Sequence, residues 1–280
     1  MNRLHLSIFG AAALGLAPSA LWAQDAVTPA TAVQPYYADL VDLAERSSLV
    51  IKARITDQAR VNAERAPGLA AEHARLYLEA ETQSLLAGSV PVGENLRYLV
   101  DVPLNAKGKV PKLKKRDVLL FAQPVQGRPG EIQLVDSSGQ MAYDPALEAR
   151  LRPILAELVA SDAPPVVTGV TEALAVRGTL VGESETQLFL DTESDGPVSV
   201  SIVRRPGQAP RWGVSWSEIV DQSASAPQRN TLAWYRLACS LPQTLPADAL
   251  LSDSSDTRTL AQEDYAFVIE QLGDCPRSPA

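Results

Sequence analysis

The stretch ARLYLEAETQ, residues 74–83, decides how the first half of the chain is interpreted. Leu76, Leu78 and Ala80 alternate with polar or amphipathic side chains, and this period of two predicts a half-buried β-strand. Working outward, we find four more strand-like runs, at 49–55, 96–104, 117–123 and 131–135, and a helical pattern at 36–46 that precedes them. Segments that contain glycine or proline separate the runs and predict turns.

Five short strands with one helix predict a small antiparallel β-barrel over residues 36–143. Closing the sheet buries one of its faces and hides its edges. In strand number and order, this half of the chain resembles an OB-like or netrin-like module. The resemblance implies a fold and no activity.

The remaining residues, 144–280, predict an α+β unit, so that the fold class of the whole chain is α+β. Asp144-Pro145 is a typical helix start, and Pro153 predicts a kink or a break within that helix. Strand patterns at 186–192, 198–204 and 211–216 predict a three-stranded antiparallel meander. Two helices, near 231–240 and 260–272, are expected to complete the chain.

Residues 1–23 have the layout of a secretory signal peptide, with one basic residue, Arg3, before an apolar run that ends near Ala23. The apolar run is shorter than the roughly 20 residues that a membrane-spanning helix needs, which favours cleavage and predicts a mature chain without a transmembrane anchor. Residues 24–35 are small, polar and proline-containing, and we interpret them as a flexible tether. The predicted location is periplasmic or secreted.

Composition narrows the class of protein. A hydrophobic content of 46% and a charged content of 21% are typical of a globular chain. The net charge of −8 disfavours nucleic acid as a partner, whereas an unknown protein or an anionic envelope component stays possible. In an oxidising compartment, the two cysteines, Cys239 and Cys275, predict a disulfide bond. The competing interpretation is a pair of separate buried thiols.

The sequence carries no motif of a specific chemistry. After signal cleavage His73 is the only imidazole, and it has no nucleophile elbow near it and too few partners for a zinc site. We therefore predict no catalytic residue, no metal site and no cofactor. Carboxylates leave one enzymatic alternative open, since glycoside hydrolysis needs no histidine. They cluster in two places: Glu183, Glu185 and Asp191, and Asp248, Asp253 and Asp256.

Two features are candidate binding elements. The first is a basic segment made of Lys107, Lys109, Lys112, Lys114, Lys115 and Arg116, which either meets an anionic partner or protects an exposed sheet edge from aggregation; we favour protection. The second is the pair Trp212 and Trp216, which would share one face of a strand. Paired tryptophans can grip a sugar or a peptide, but they fill cores more often.

Three segments are similar to those of uncharacterised exported proteins of Gram-negative bacteria: RRPGQAPRWGVSWSEIVD at 204–221, TLAWYRLACSLP at 231–242 and VPKLKKRDVLLF at 110–121. The similarity implies only the compartment. Our leading hypothesis is a non-enzymatic protein that binds a partner or supports the envelope. The alternatives are a carboxylate-based hydrolase of an envelope polymer and an inhibitor or chaperone-like module that uses an exposed strand edge or groove.

Overall fold

A computed structural model describes residues 34–217, 224–252 and 254–278. The predicted signal peptide and most of the predicted tether lie outside the described residues. Within these residues the chain contains two antiparallel sheets and four α-helices, which confirms the predicted α+β class. None of the described helices combines the length and the apolar character needed to cross a membrane.

The first half of the chain forms a six-stranded sheet in which the central strands follow the predicted pattern. Its elements are α1 (Tyr37–Glu45), β1 (Leu49–Arg60), β2 (His73–Gly88), β3 (Asn95–Pro103), β4 (Asp117–Pro124), β5 (Ile132–Leu134) and β6 (Gln140–Ala142). The strand order is β3-β2-β1-β4-β5, and β6 also pairs with β4. Each of these pairs is antiparallel.

The two faces of this sheet are buried in different ways. The inner face forms an apolar cluster with contributions from β1 to β5, among them Ile51, Leu76, Leu96 and Leu120. On β1 and β4 the opposite face is buried as well, because Val50 and Phe121 belong to a second cluster that contains residues of all four helices and of the second sheet. The sequences of β1 and β4 are therefore nearly continuous apolar runs where both faces are buried.

The first sheet is not a closed barrel, so the predicted barrel is not confirmed. β3 and the start of β5 meet at one parallel bridge, between Arg97 and Glu131, the residue directly before β5. Next to it the Arg97 N–H donates a hydrogen bond of 2.8 Å to the Gly130 carbonyl. Gly130 has a φ of 79°, which a residue with a side chain rarely adopts. The described residues form no further ladder between the two strands.

The second half contains α2 (Pro145–Leu158), β7 (Val167–Arg177), β8 (Ser184–Thr192), β9 (Val198–Arg204), β10 (Arg211–Ser215), α3 (Leu232–Ala238) and α4 (Ser255–Leu272). The meander of three strands was an incomplete prediction, because β7 adds a fourth strand in the order β10-β9-β8-β7. Register shifts next to Gly169 and Val170 interrupt the period of two in β7, which hides that strand in the sequence.

The start of α2 is as predicted, since the Asp144 carboxylate accepts a hydrogen bond of 2.9 Å from the Ala146 N–H. A break at Pro153 was a wrong alternative, because a single helix runs through it. Because Pro153 has no N–H, the Ala149 carbonyl lacks its helical hydrogen-bond donor. Both residues are exposed, so water can hydrate that carbonyl.

The predicted disulfide bond is present between Cys239, at the end of α3, and Cys275, just after α4. The tail that follows it is fastened to α1. Arg277 pairs with Asp42, and the Ser278 hydroxyl donates a hydrogen bond of 2.6 Å to Asp39. The C-terminal tail thus holds the first helix against the rest of the described chain.

Candidate functional site

The candidate site is a groove between β3 and β5, where the two strands separate beyond the bridge between Arg97 and Glu131. It encloses a cavity of about 560 Å³, within the size range of ligand sites. Residues from β2, from β3, and from β5 with its flanking turns line it: Arg75, Tyr77, Arg97, Tyr98, Leu99, Val100, Asp101, Val125, Arg128, Glu131, Ile132, Gln133, Leu134, Asp136 and Ser137.

The β3 side of the groove offers main-chain hydrogen-bonding groups. The main-chain N–H and C=O groups of the even-numbered β3 residues point toward β2. Hydrogen bonds at the two ends of the strand pair show this: the Thr82 N–H donates to the Glu94 carbonyl, and the Leu104 N–H donates to the Glu72 carbonyl. In an antiparallel pair these positions alternate, so the N–H and C=O groups of Leu99 and Asp101 point away from β2. No described residue forms a backbone hydrogen bond with these four groups.

Most charges in the groove are neutralised locally. Asp101 accepts two hydrogen bonds, of 2.7 and 2.8 Å, from Arg75, and this guanidinium holds the pKa of the Asp101 carboxyl below its usual range. Glu131 pairs with Arg128 at 3.2 Å, and Asp136 pairs with Arg46 at 2.6 Å.

Arg97 is the exception. Its side chain is exposed and forms no ion pair with any residue that the structure describes. The groove therefore presents, at the end where β3 and β5 meet, an arginine without an ion pair, and Glu79 of β2 stands opposite it in the register.

Apolar surface lies beside this charge. Leu99, two residues along the same face of β3, is 51% exposed and adds apolar surface to the groove. Tyr98 is buried on the opposite face, where its hydroxyl donates a hydrogen bond of 2.7 Å to Gln140 of β6. This bond reaches from β3 to the strand segment beyond the groove and fixes the floor of the groove.

The basic segment lies elsewhere, between β3 and β4, and all six of its predicted binding residues are exposed. Its backbone covers the part of β1 that extends past β4: the Lys115 N–H donates to the Ile55 carbonyl at 2.7 Å, and the Ile55 N–H donates to Arg116 at 2.9 Å. Gln58 also accepts a hydrogen bond of 2.5 Å from the Leu113 N–H. The segment is thus held beside a strand edge, and none of its residues lines the groove.

The tryptophan pair also lies away from the groove. Trp212 is on β10 and Trp216 follows that strand, and both are half-buried against the larger core cluster. Of the carboxylates singled out in the sequence, Glu183 pairs with Arg205 at 3.2 Å, and Asp253 lies outside the described residues. His73 begins β2 and its ring contacts the Ala71 carbonyl at 2.8 Å.

Comparisons with known proteins name no relative: no protein-family model matches the chain, and no curated protein matches its sequence. Across the described ranges, no group of three or more His, Cys, Asp or Glu side chains is arranged to hold a metal ion.

The groove residues were not among the residues predicted from the sequence. The sequence signal for them is Leu99, an apolar residue on the polar side of an alternating strand.

Proposed function

We propose that the protein is an exported, non-enzymatic binding protein and that its ligand lies in the groove between β3 and β5. The observation that carries this proposal is the separation of two strands that touch at one end, which leaves exposed main-chain groups, an arginine without an ion pair and an apolar side chain around one cavity. Convergent polar groups beside apolar surface are typical of binding sites.

Export is supported by the bond between Cys239 and Cys275, because disulfide bonds persist in oxidising compartments. An OB-like character of the first half is supported by the strand order β3-β2-β1-β4-β5 and by the parallel contact of β3 with β5. In OB-like folds the exposed face of the second and third strands carries ligands, and the groove lies at that face.

The charges of the groove argue against a hydrolase. A glycosidase needs one carboxylic acid that stays protonated while a second carboxylate is ionised. The carboxylates of the groove, Asp101, Glu131 and Asp136, each have an arginine partner, and Arg75 favours the ionised form of Asp101. Such pairing suits a fixed binding surface better than proton transfer.

A binding screen with a matched pair of variants tests the proposal. Residues 24–280 are titrated by calorimetry against two defined probe sets, nonapeptides and oligosaccharide fragments of an envelope polymer. Arg97→Glu reverses the charge of the groove arginine that has no ion pair. Arg177→Glu reverses another exposed arginine, at the end of β7, and serves as the control.

We expect saturable one-to-one binding that Arg97→Glu weakens at least tenfold and Arg177→Glu leaves unchanged. Mass spectrometry of the probes after incubation adds a second criterion. If both variants bind a probe equally well, or if the protein binds neither probe set, the proposal that the groove is the ligand site is wrong. Cleavage of a probe that depends on Asp101 or Glu131 would establish the hydrolase instead.

A further inference from the structure

We infer that the ligand of the groove is an extended polypeptide segment that adds to the edge of β3 as a further strand. This inference rests on the proposed binding function and names the chemistry of the ligand. It requires an open strand edge, room beside that edge and side chains that select the added strand, and the following contacts provide all three.

The open edge is the outward side of β3 beyond Arg97. There the N–H and C=O groups of Leu99 and Asp101 have no backbone partner among the described residues, and they recur every second residue. Successive strand residues are about 3.4 Å apart, so these two sets of donors and acceptors repeat at about 6.8 Å. That repeat equals the hydrogen-bonding repeat of another polypeptide strand.

Room for the strand comes from the separation of β5 from β3 after the bridge: Gln133 and Leu134 line the groove together with Leu99 and Asp101 and form no ladder with β3. β5 ends at Leu134, and the chain then passes through Asp136 and Ser137, which form the opposite wall of the groove. The bridge at Arg97 closes one end, so an added strand begins next to Leu99 and runs along β3 toward Pro103. This edge accommodates about four residues at 3.4 Å each.

The chemistry of the walls favours polypeptide over carbohydrate or nucleic acid. Sugars and bases bind largely by stacking on aromatic rings, whereas aromatic residues make up only 5% of this chain and the one groove aromatic outside the core, Tyr77, is half-buried. A repeating edge of main-chain donors and acceptors is instead the recognition element of strand addition.

Two side chains define the sequence that fits. Arg97 and Leu99 project from the same exposed face of β3. The added strand faces Leu99, while Glu131 occupies the position beside Arg97, so Arg97 lies next to the end of the added strand. Leu99 selects an apolar side chain, and Arg97, which has no ion pair, favours an acidic group at the end of the strand nearest the bridge. The predicted ligand is therefore an extended segment with an apolar residue against Leu99 and an acidic group at the end nearest the bridge.

The test uses peptides whose main chain is altered while their side chains are kept. A random pool of acetylated, amidated nonapeptides is passed over the immobilised mature chain, and the most enriched peptide is sequenced and resynthesised. Two further versions carry N-methyl groups, one at the odd-numbered residues and one at the even-numbered residues. Each version lacks the N–H groups along one edge of the extended peptide. We expect N-methylation of one alternate set to weaken binding at least tenfold and of the other set to change it less than threefold.

Protein variants check the same contact from the other side. Leu99→Pro removes the outward N–H at a position where an edge strand tolerates proline, and Leu99→Ala removes only the apolar contact. We expect the proline variant to lose at least tenfold more affinity than the alanine variant, with melting temperatures that show both to be folded. Hydrogen exchange should slow at the Leu99 and Asp101 amides when peptide is bound.

The outcomes separate the inference from the proposed function. Saturable binding of an oligosaccharide that depends on Arg97, with no peptide enriched, would overturn strand addition and leave the groove as a binding site. Enrichment of a peptide that binds equally well in both N-methylated versions would also overturn it. If no probe binds in a manner that depends on Arg97, the proposed function fails together with the inference. The N-methyl comparison needs no protein variant, so it decides the question even if Leu99→Pro does not fold.

Discussion

Removing the disulfide bond by replacing Cys239 and Cys275 with serine should lower the stability of the protein by a predictable amount. The two cysteines are 36 residues apart in sequence. In the chain-entropy model, a cross-link that closes a loop of this length stabilises the folded state by about 4 kcal/mol, because it restricts the unfolded chain. For a chain of this size, about 1 kcal/mol shifts the melting temperature by roughly 2–4 °C, so we expect a decrease of about 8–16 °C.

Folded-state contacts should survive the loss of the bond, which makes the entropic estimate appropriate. Arg229 donates a hydrogen bond of 3.0 Å to the Asp274 carbonyl, and the tail is bound to α1 through Arg277 and Ser278. These contacts keep the segment after α4 in place without the cross-link. The effect therefore originates mainly in the unfolded chain.

Thermal unfolding followed by circular dichroism, with and without a phosphine reductant, measures the effect. Reductant should bring the wild-type melting temperature down to that of the double serine variant and should not change the variant itself. Ser278→Ala is a matched control that removes one tail contact and keeps the bond, at a cost of about 1 kcal/mol. A reduced wild type that melts within 2 °C of the oxidised protein would refute the reasoning, as would free thiols in a non-reducing peptide map.

Three further predictions concern other parts of the chain. Replacing Lys107, Lys109, Lys112, Lys114 and Lys115 together with glutamine should promote self-association in sedimentation experiments and leave ligand binding unchanged, if the lysines protect the strand edge beside them; a monomeric variant that loses a salt-sensitive interaction would favour an anionic partner. The folded-state pKa of Asp101 is lowered by Arg75, so the stabilisation that this pair gives is present above the unfolded pKa of about 4 and is lost as the pH falls through the folded value. Asp101→Asn should therefore cost about 0.5–1 kcal/mol at pH 7 and almost nothing near pH 2.5, in urea titrations at both values. Trp234 is 2% exposed and its indole N–H donates a hydrogen bond of 2.9 Å to the Leu272 carbonyl at the end of α4; Trp234→Phe should cost about 2–3 kcal/mol in the same assay, and a loss under 0.5 kcal/mol would show that another donor replaces the indole.

Local patterns predicted most of the secondary structure because each pattern has a local physical cause. The alternation in β2 follows from one buried face, and the start of α2 follows from the capping carboxylate of Asp144. β7 was missed because its two register shifts break the alternation on which the prediction depends. β6 has only three residues, too few for a period to be visible.

The groove could not be predicted in this way because it arises where two distant strands fail to pair. Beyond β4 the chain 132–142 acts as one interrupted strand: β5 pairs with Ala122–Pro124, β6 pairs with Val118–Leu120, and between them the Val135 N–H and the Gly139 carbonyl both bond to Phe121. Residues 136–138 are the extra residues that leave the sheet at this point.

Gly139 makes that departure possible. A side chain there would lie 2.9 Å from the Phe121 carbonyl oxygen and 3.1 Å from the Asp136 carbonyl oxygen, so only glycine lets the chain return directly to β4. β5 begins directly after the bridge residue Glu131 and ends after three residues without forming a ladder with β3, so the edge at Leu99 stays open. One wall of the proposed binding site is thus a turn that lies about forty residues from Leu99 in the sequence, a separation over which no local pattern carries information.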